Sequence, residues 1–249
     1  MKVAVAGGTG VVGRHVVAAL AKSGHEPVTL ARAAGIDITT GAGLDAALGG
    51  VQAVIDVSNV VTTRRRASID FFEAGTATLL SAGARAGVQH HVVLSIVGIY
   101  DVDFGYYFGK RRQEELALVG GVPVSVLRAT QFHEFPGQLL DRGRGPVAVV
   151  PRMTVQTVAA SEVADALVAL VAGPAVGVAP ELGGPEVHQL TDLAKAVLTK
   201  RGSSRPILRL RVPGAAGKAM LGGALVPRGD GPRGTMTFDE WLSGAPNHR

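Results

Sequence analysis

The chain has no cysteine, which removes disulfides, thiolate nucleophiles and cysteine-ligated zinc and fits a reducing compartment. It has no apolar run long enough to cross a bilayer, since a stretch such as Val163 to Ala172 is interrupted by Asp165. Glycines break the amino-terminal apolar run and no convincing small-residue cleavage site follows, so a cytoplasmic protein without membrane attachment is expected. Concentrated basic charge is also missing. The net charge is +5, but the arginines are spread out, only Arg64, Arg65 and Arg66 form a run, and no aromatic residue interleaves with them. That pattern argues against nucleic-acid binding. Metal-ligand spacing is lacking too: His90 and His91 alternate onto opposite faces of a strand, and Asp101 and Asp103 fall in a loop with no second carboxylate pattern. No metal is expected. There is no internal repeat and no low-complexity linker.

What the chain does have is glycine, valine and alanine in a globular balance, 47% hydrophobic against 18% charged over 249 residues. Short β-rich runs alternate with helical spacing. Strands are expected at 3–6, 26–30, 35–38, 51–57, 91–97 and 123–129, with helices after the first strand, at 44–48, at 69–86 around Phe72, Leu79 and Leu80, and at 107–119. Continuous apolar strands with short connections predict a doubly wound parallel sheet covered on both faces. Beyond Thr130 the pattern loosens. An extended stretch at 147–158, a helix at 161–172 capped by Ser161, a helix at 190–200 capped by Thr191, a strand at 207–212 with Arg209 and Arg211 facing water, and a Thr237/Glu240 capping box are expected. The division that follows is a doubly wound core over 1–130 and a smaller C-terminal region over 131–249 that is not an independent domain.

The opening KVAVAGGTGVVGRHVV places a glycine cluster between a strand and a helix. Gly7 suits the positive φ of a tight turn, Gly10 lets backbone N–H groups approach a pyrophosphate, and Gly13 lets the helix pack on the strand. The helix N-terminus then faces the phosphates. Its G-x-x-G-x-x-G spacing, with Gly8 extra, departs from the basic dinucleotide fingerprint. A second group lies in VVLSIVGIYDVDFGYYFGKRRQEE. Ser95 is near the C-terminal end of a strand, where parallel sheets present functional groups. Tyr106 and Lys110 stand at i, i+4, so a helix puts phenol and ammonium on one face. An adjacent ammonium lowers a tyrosine pKa into the range useful for proton transfer. Lys110 is also suited to hold ribose hydroxyls, and Ser95 to orient a carbonyl. On an ordinary helix the same pair would be an exposed tyrosine and a solvated lysine.

These stretches, together with LRATQFHEF (127–135), GGPEVHQL (183–190) and the arginine after the second strand, resemble the short-chain dehydrogenase/reductase superfamily, in particular its atypical, NmrA-like branch. The resemblance covers nearly the whole length. It implies a Rossmann-like sheet, NADP(H) binding and a C-terminal substrate pocket. The branch includes reductases of quinones and other carbonyls as well as inactive nucleotide-binding regulators. The Ser95 to Tyr106 spacing is shorter than in the standard family.

The expected reaction is hydride transfer from NADPH to a carbonyl or quinone-like, aromatic small molecule, with Tyr106, Lys110 and Ser95 catalytic. The alternatives are an NADP(H)-sensing regulator without turnover, or a non-redox cyclase or dehydratase on the same scaffold. Phe104, Tyr107, Phe132, His133 and Phe135 are the candidate pocket residues; as a lone histidine beside Glu134, His133 also reads as a hydrogen-bonded lid residue. Beside the glycines, Thr9, Val11, Val12 and Arg14 complete the turn, with Ser58 and Asn59 following the strand at 51–57. NADPH is expected over NADH because the second strand ends in Leu30-Ala31-Arg32 with no carboxylate, and Arg32, joined by Arg14, suits a 2′-phosphate. Asp37, beyond Gly35, is expected at the adenine edge. A monomer or weak homodimer is expected.

Overall fold

The computed structural model describes residues 1–143 and 145–244. Along the chain run β1 (Lys2–Ala6), α1 (Val11–Lys22), β2 (Glu26–Leu30), α2 (Leu44–Ala47), β3 (Ala53–Asp56), α3 (Arg65–Ala86), β4 (His90–Ile96), α4 (Gly105–Val119) and β5 (Val124–Ala129). Then follow α5 (Phe135–Arg142), β6 (Ala148–Pro151), β7 (Thr154–Val155), α6 (Ala160–Ala172), β8 (Gly177–Val178), β9 (His188–Gln189), α7 (Leu190–Lys200), β10 (Ile207–Leu210), α8 (Gly214–Leu221) and α9 (Phe238–Gly244).

Six strands form one parallel sheet in the order β2-β1-β3-β4-β5-β8. Val3 pairs with Pro27 on one side and Ala53 on the other, and Ala53 in turn with His90. Val3 to Ala6 are fully buried, as a strand covered on both faces requires. Pro27 sits on edge strand β2, where a missing N–H costs no ladder bond. One face of the sheet meets Leu44 from α2, its C-cap Leu48, and Leu79 and Ala82 from α3 around Ala4, Ala6 and Val54. The doubly wound α/β class expected above is the observed one.

Packing divides the chain into two compact units. One comprises Met1–Ser95, Phe104–Arg128 and Ser161–Pro180; the other comprises Ile96–Asp103, Ala129–Ala160 and the chain from Glu181 onward. The first holds the sheet, and the segment 161–180 belongs to it through β8, whose Gly177 pairs with Ser125. The second holds two small sheets, parallel β10-β6 and antiparallel β7-β9, with α5, α7, α8 and α9.

Four local expectations are corrected. Residues 35–38 form no strand. Asp37 instead accepts from Thr39 N at 2.8 Å and Thr39 Oγ1 at 2.7 Å, an Asx turn that outcompetes extension of Ile36 and Ile38. Helix α3 starts at Arg65, not near Ile69, so two arginines lie in its first turn. The unfavourable dipole there is offset by Arg66 pairing with Asp70 at 2.8 Å and by Arg65 lying 3.8 Å over the Phe108 ring. Ser161 is inside α6, which begins at Ala160, and Thr191 is inside α7, whose N-cap is Gln189. The Thr237/Glu240 capping box does form: Thr237 N donates to Glu240 Oε2 at 2.9 Å and Glu240 N to Thr237 Oγ1 at 3.2 Å.

Candidate functional site

The turn between β1 and α1 is shaped by what glycine lacks. Gly7 has φ +79°, and a Cβ there would lie 2.7 Å from Val57 O. A Cβ on Gly13 would lie 2.1 Å from Gly7 O and 2.6 Å from Gly8 Cα, so α1 touches the turn backbone directly. The extra glycine has a reason of its own: a Cβ on Gly8 would meet Thr29 Cγ2 at 2.9 Å. Gly10 is the N-cap of α1 with φ −74° and ψ −178°, ordinary extended backbone, and an added Cβ would meet only Gly7 O, at 3.2 Å. Its value is therefore open space rather than a positive φ.

Helix α1 has no side-chain cap and no acidic residue in its first turn. Its amino-terminal dipole, over Val11, Val12 and Gly13, is left for an external anion. Arg14 folds back to donate to Thr9 O at 3.0 Å, which places a guanidinium beside the turn. The Arg32 side chain, exposed directly after β2, makes no hydrogen bond among the described residues. Asp37 is committed to Thr39, whose hydrogen bonds hold its carboxyl below the usual range, with a smaller contribution from the charge of Arg32. These features fit a dinucleotide pyrophosphate and leave Arg32 free for a further phosphate.

Tyr106 and Lys110 both lie on α4, as the spacing predicts. Two glycines on this helix set its height above α3. A Cβ on Gly105 would be 2.0 Å from Thr63 O, and one on Gly109 2.1 Å from Ser68 Oγ. The helices therefore meet backbone to backbone, and Ser68 Oγ donates to Tyr106 O at 2.7 Å. The Tyr106 hydroxyl donates to Asn59 Oδ1 at 2.6 Å, in the loop after β3, and its ring meets Phe72 edge-on at 5.8 Å.

The environment of Lys110 differs from the expectation. The residue is 4% exposed. Its ammonium donates to Leu94 O at 2.6 Å and to Gln113 Oε1, and lies 4.8 Å over the Phe72 ring. Burial pushes its pKa down to about 8, against the opposing charges of Asp56 and Glu114. Gln113 passes the interaction on by donating to Asp56 Oδ2 at 2.8 Å, and Asp56 Oδ1 accepts from Ser58 N at 2.9 Å. Ser58 is held by this bond and Asn59 by Tyr106, so both stand at the end of β3 as structural partners. Glu114, fully buried, makes a two-pronged pair with Arg128 at 3.0 and 2.7 Å. Ser95 Oγ, at the end of β4, is buried with no partner among the described residues.

Two candidate pocket residues are corrected. Tyr107 is 8% exposed, packed edge-on to Phe104 at 5.7 Å and to Tyr106 at 5.9 Å, and burial pushes its phenol pKa up. It is interior. In the second unit His133 is fully buried, with Nδ1 2.9 Å from Thr157 Oγ1 and Nε2 3.1 Å from Met236 O, packed against Phe238 and Trp241. Both nitrogens are spent within that unit, which leaves none for a substrate. Phe132, half-buried, bridges to Val158, and Phe135 opens α5. His90 and His91 diverge as expected. His90 Nε2 meets Ser125 Oγ at 2.9 Å, and burial lowers the pKa of His91, opposed by Asp56.

The sequence reading missed Asp56 and Gln113. Gln113 follows the lysine by three residues, but Asp56 lies 57 residues upstream, and no local spacing links the two.

Residues 3–118 match the NAD dependent epimerase/dehydratase family. A (4-alkanoyl-5-oxo-2,5-dihydrofuran-3-yl)methyl phosphate reductase of Streptomyces griseus subsp. griseus is 33% identical over 142 residues, 51% of this chain and 47% of that protein. The chain thus spans about half the length of this curated relative. Among solved structures, an NADPH-dependent quinone oxidoreductase of Escherichia coli in complex with NADPH superposes with TM-score 0.71 at 19% identity, over 97% of this chain and 98% of that one. A UDP-glucose 4-epimerase of Thermus thermophilus in complex with NAD gives TM-score 0.68 at 17% identity, over 98% and 92%. The chain thus shares the Rossmann-like fold of these two solved structures, one of which holds NADPH and the other NAD.

Proposed function

We propose that the chain is an NADPH-dependent reductase of a carbonyl or quinone-like, aromatic small molecule. The observation that carries this reading is the Tyr106 hydroxyl, ordered at the end of the sheet strands that also present the glycine turn and Ser95. Tyr106 gives its proton to the substrate oxygen. Ser95, with a hydroxyl that no described residue uses, supplies a second hydrogen bond to the same oxygen. The cofactor supplies the hydride when bound. The glycine turn and the α1 amino terminus hold its pyrophosphate, and Arg32 with Arg14 favours the 2′-phosphorylated form. Support also comes from the Streptomyces relative, named a reductase, and from the Escherichia coli protein, named an NADPH-dependent oxidoreductase.

A second reading has its own support. The matched family is named for epimerases and dehydratases, so a redox-neutral conversion on the same scaffold is the rival. Steady NADPH consumption that depends on a quinone or aromatic ketone supports the reductase. Conversion of a substrate with no net change in cofactor selects the rival, and tight dinucleotide binding with neither reaction selects a regulator.

A further inference from the structure

Between α7 and β10 the second unit holds a cleft with a volume of about 330 Å³. From α7 it takes Thr191, Lys195 and Thr199, whose i, i+4, i+8 spacing stacks them on one face of the helix. From β10 it takes Arg209, on the same side of the strand as Ile207, while Leu208 and Leu210 turn the other way. The loop between the two elements adds Ser203, Ser204 and Arg205.

The charge on these walls has one sign. Among the described residues the lining carries three cations and four hydroxyls and no carboxylate. Asp192 lines an adjoining cleft with Lys195 but forms no ion pair with it, and Arg201 takes Asp141 at 2.6 Å, so that acid is spent. The Arg205 guanidinium donates only to carbonyls, Leu140 O and Val147 O at 3.4 Å and Gly143 O at 2.6 Å, which caps α5 and leaves the charge uncancelled. The side chains of Lys195 and Arg209 are exposed and make no hydrogen bond or ion pair among the described residues. A cleft of one sign concentrates its field and draws in a counter-ion.

We infer that this cleft is a second binding site, for the phosphate group of a small molecule, with Lys195 and Arg209 meeting the charge from the helix and from the strand. Phosphate oxygens accept and never donate, and they point in several directions, so they suit donors that arrive from a helix, a strand and a loop. Ser203 is prepared for this: its Oγ accepts from Arg205 N at 3.4 Å, which orients the side chain and leaves the hydroxyl hydrogen to donate. The volume falls at the lower end of the usual range for small-molecule sites, about 300 Å³ and above, and gives room for more than the phosphate. The site shares no residue with the glycine turn, which belongs to the first unit, and it stands whether or not the chain is a reductase.

Inorganic pyrophosphate is the probe. Because it also suits the glycine turn, binding is read residue by residue, from amide chemical shifts during titration at constant ionic strength. Saturable shifts are expected at Thr199, Ser203, Ser204 and Arg209. Lys195→Gln and Arg209→Gln change exposed positions where the fold is not at stake. Each is expected to weaken that response about ten- to a hundredfold and to leave any response over residues 7–14 unchanged. Arg209→Lys should recover part of the loss. The inference is overturned if residues 199–209 show no saturable shift, if sodium chloride reproduces the shifts, or if they survive in the Lys195→Gln, Arg209→Gln double variant. Citrate bound as tightly as pyrophosphate overturns the assignment to phosphate.

Discussion

The turn after β1 and the ends of β3 and β4 lie along one sheet and treat their polar groups in opposite ways. At the first, α1 begins with no side-chain cap and no carboxylate, and Arg32 stands exposed beside it. At the second, Asp56, Gln113, Lys110 and Leu94 O consume one another's hydrogen bonds in the interior. A dinucleotide has something to bind at the first and little at the second. The difference separates a surface left incomplete for a ligand from a scaffold completed by the chain itself, and it moves the lysine from the first class to the second.

Glycine substitutions should break this comparison most severely. Gly13→Val has no room, its Cβ falling 2.1 Å from Gly7 O, and is expected to abolish the folded first unit, seen as loss of the cooperative thermal transition. Gly10→Val meets only Gly7 O at 3.2 Å, so the fold should survive while dinucleotide binding by calorimetry disappears. Normal binding in a folded Gly10→Val protein would make the turn an ordinary one. Next in size is Tyr106→Phe, expected to slow the chemical step by roughly a hundredfold with NADPH affinity nearly unchanged. Equal turnover would remove Tyr106 from the chemistry.

Arg32→Asp sharpens the open side. A charge-assisted bond to a phosphate contributes about 1.5 to 3 kcal/mol, so NADPH affinity should fall roughly ten- to a hundredfold while NADH affinity changes little. Wild-type protein that binds both forms equally would end the assignment. The smallest effect tests the closed side. Lys110 titrates at about 8 in the folded chain against 10.5 ordinarily, so the unfolded chain holds this proton more tightly. Its contribution to stability therefore rises with pH across that window and is least favourable below it. Lys110→Met should remove that rise, so stability relative to wild type is highest below pH 8 and falls toward pH 10.5. Parallel denaturant curves at the two ends of the window would contradict a buried, charged lysine.

The strand and helix alternation was legible because strands buried on both faces leave continuous apolar runs, as Val3 to Ala6 do. Gly7 and Gly13 were legible because their spacing has a single geometric use. The errors came where one local preference hid another. Ile36 and Ile38 read as a strand, yet Asp37 and Thr39 between and after them build a turn. Arg65 and Arg66 read as lying before a helix, yet Asp70 and Phe108 make them acceptable within it. Tyr106 and Lys110 were found by spacing, but spacing reports only that two side chains share a helix face. The destination of the lysine was set by Asp56, which no local pattern could reveal, and that of the phenol by Asn59, 47 residues away.

The glycine seam between α3 and α4 also bears on how such a protein can diversify. With Gly105 against Thr63 O and Gly109 against Ser68, nothing larger than hydrogen fits between the two helices. Descendants cannot retune the phenol by sliding α4. They are left with the loop that carries Asn59, where substitutions displace no helix, and selection for a new substrate should accumulate its changes in residues 58–63 while the seam stays frozen.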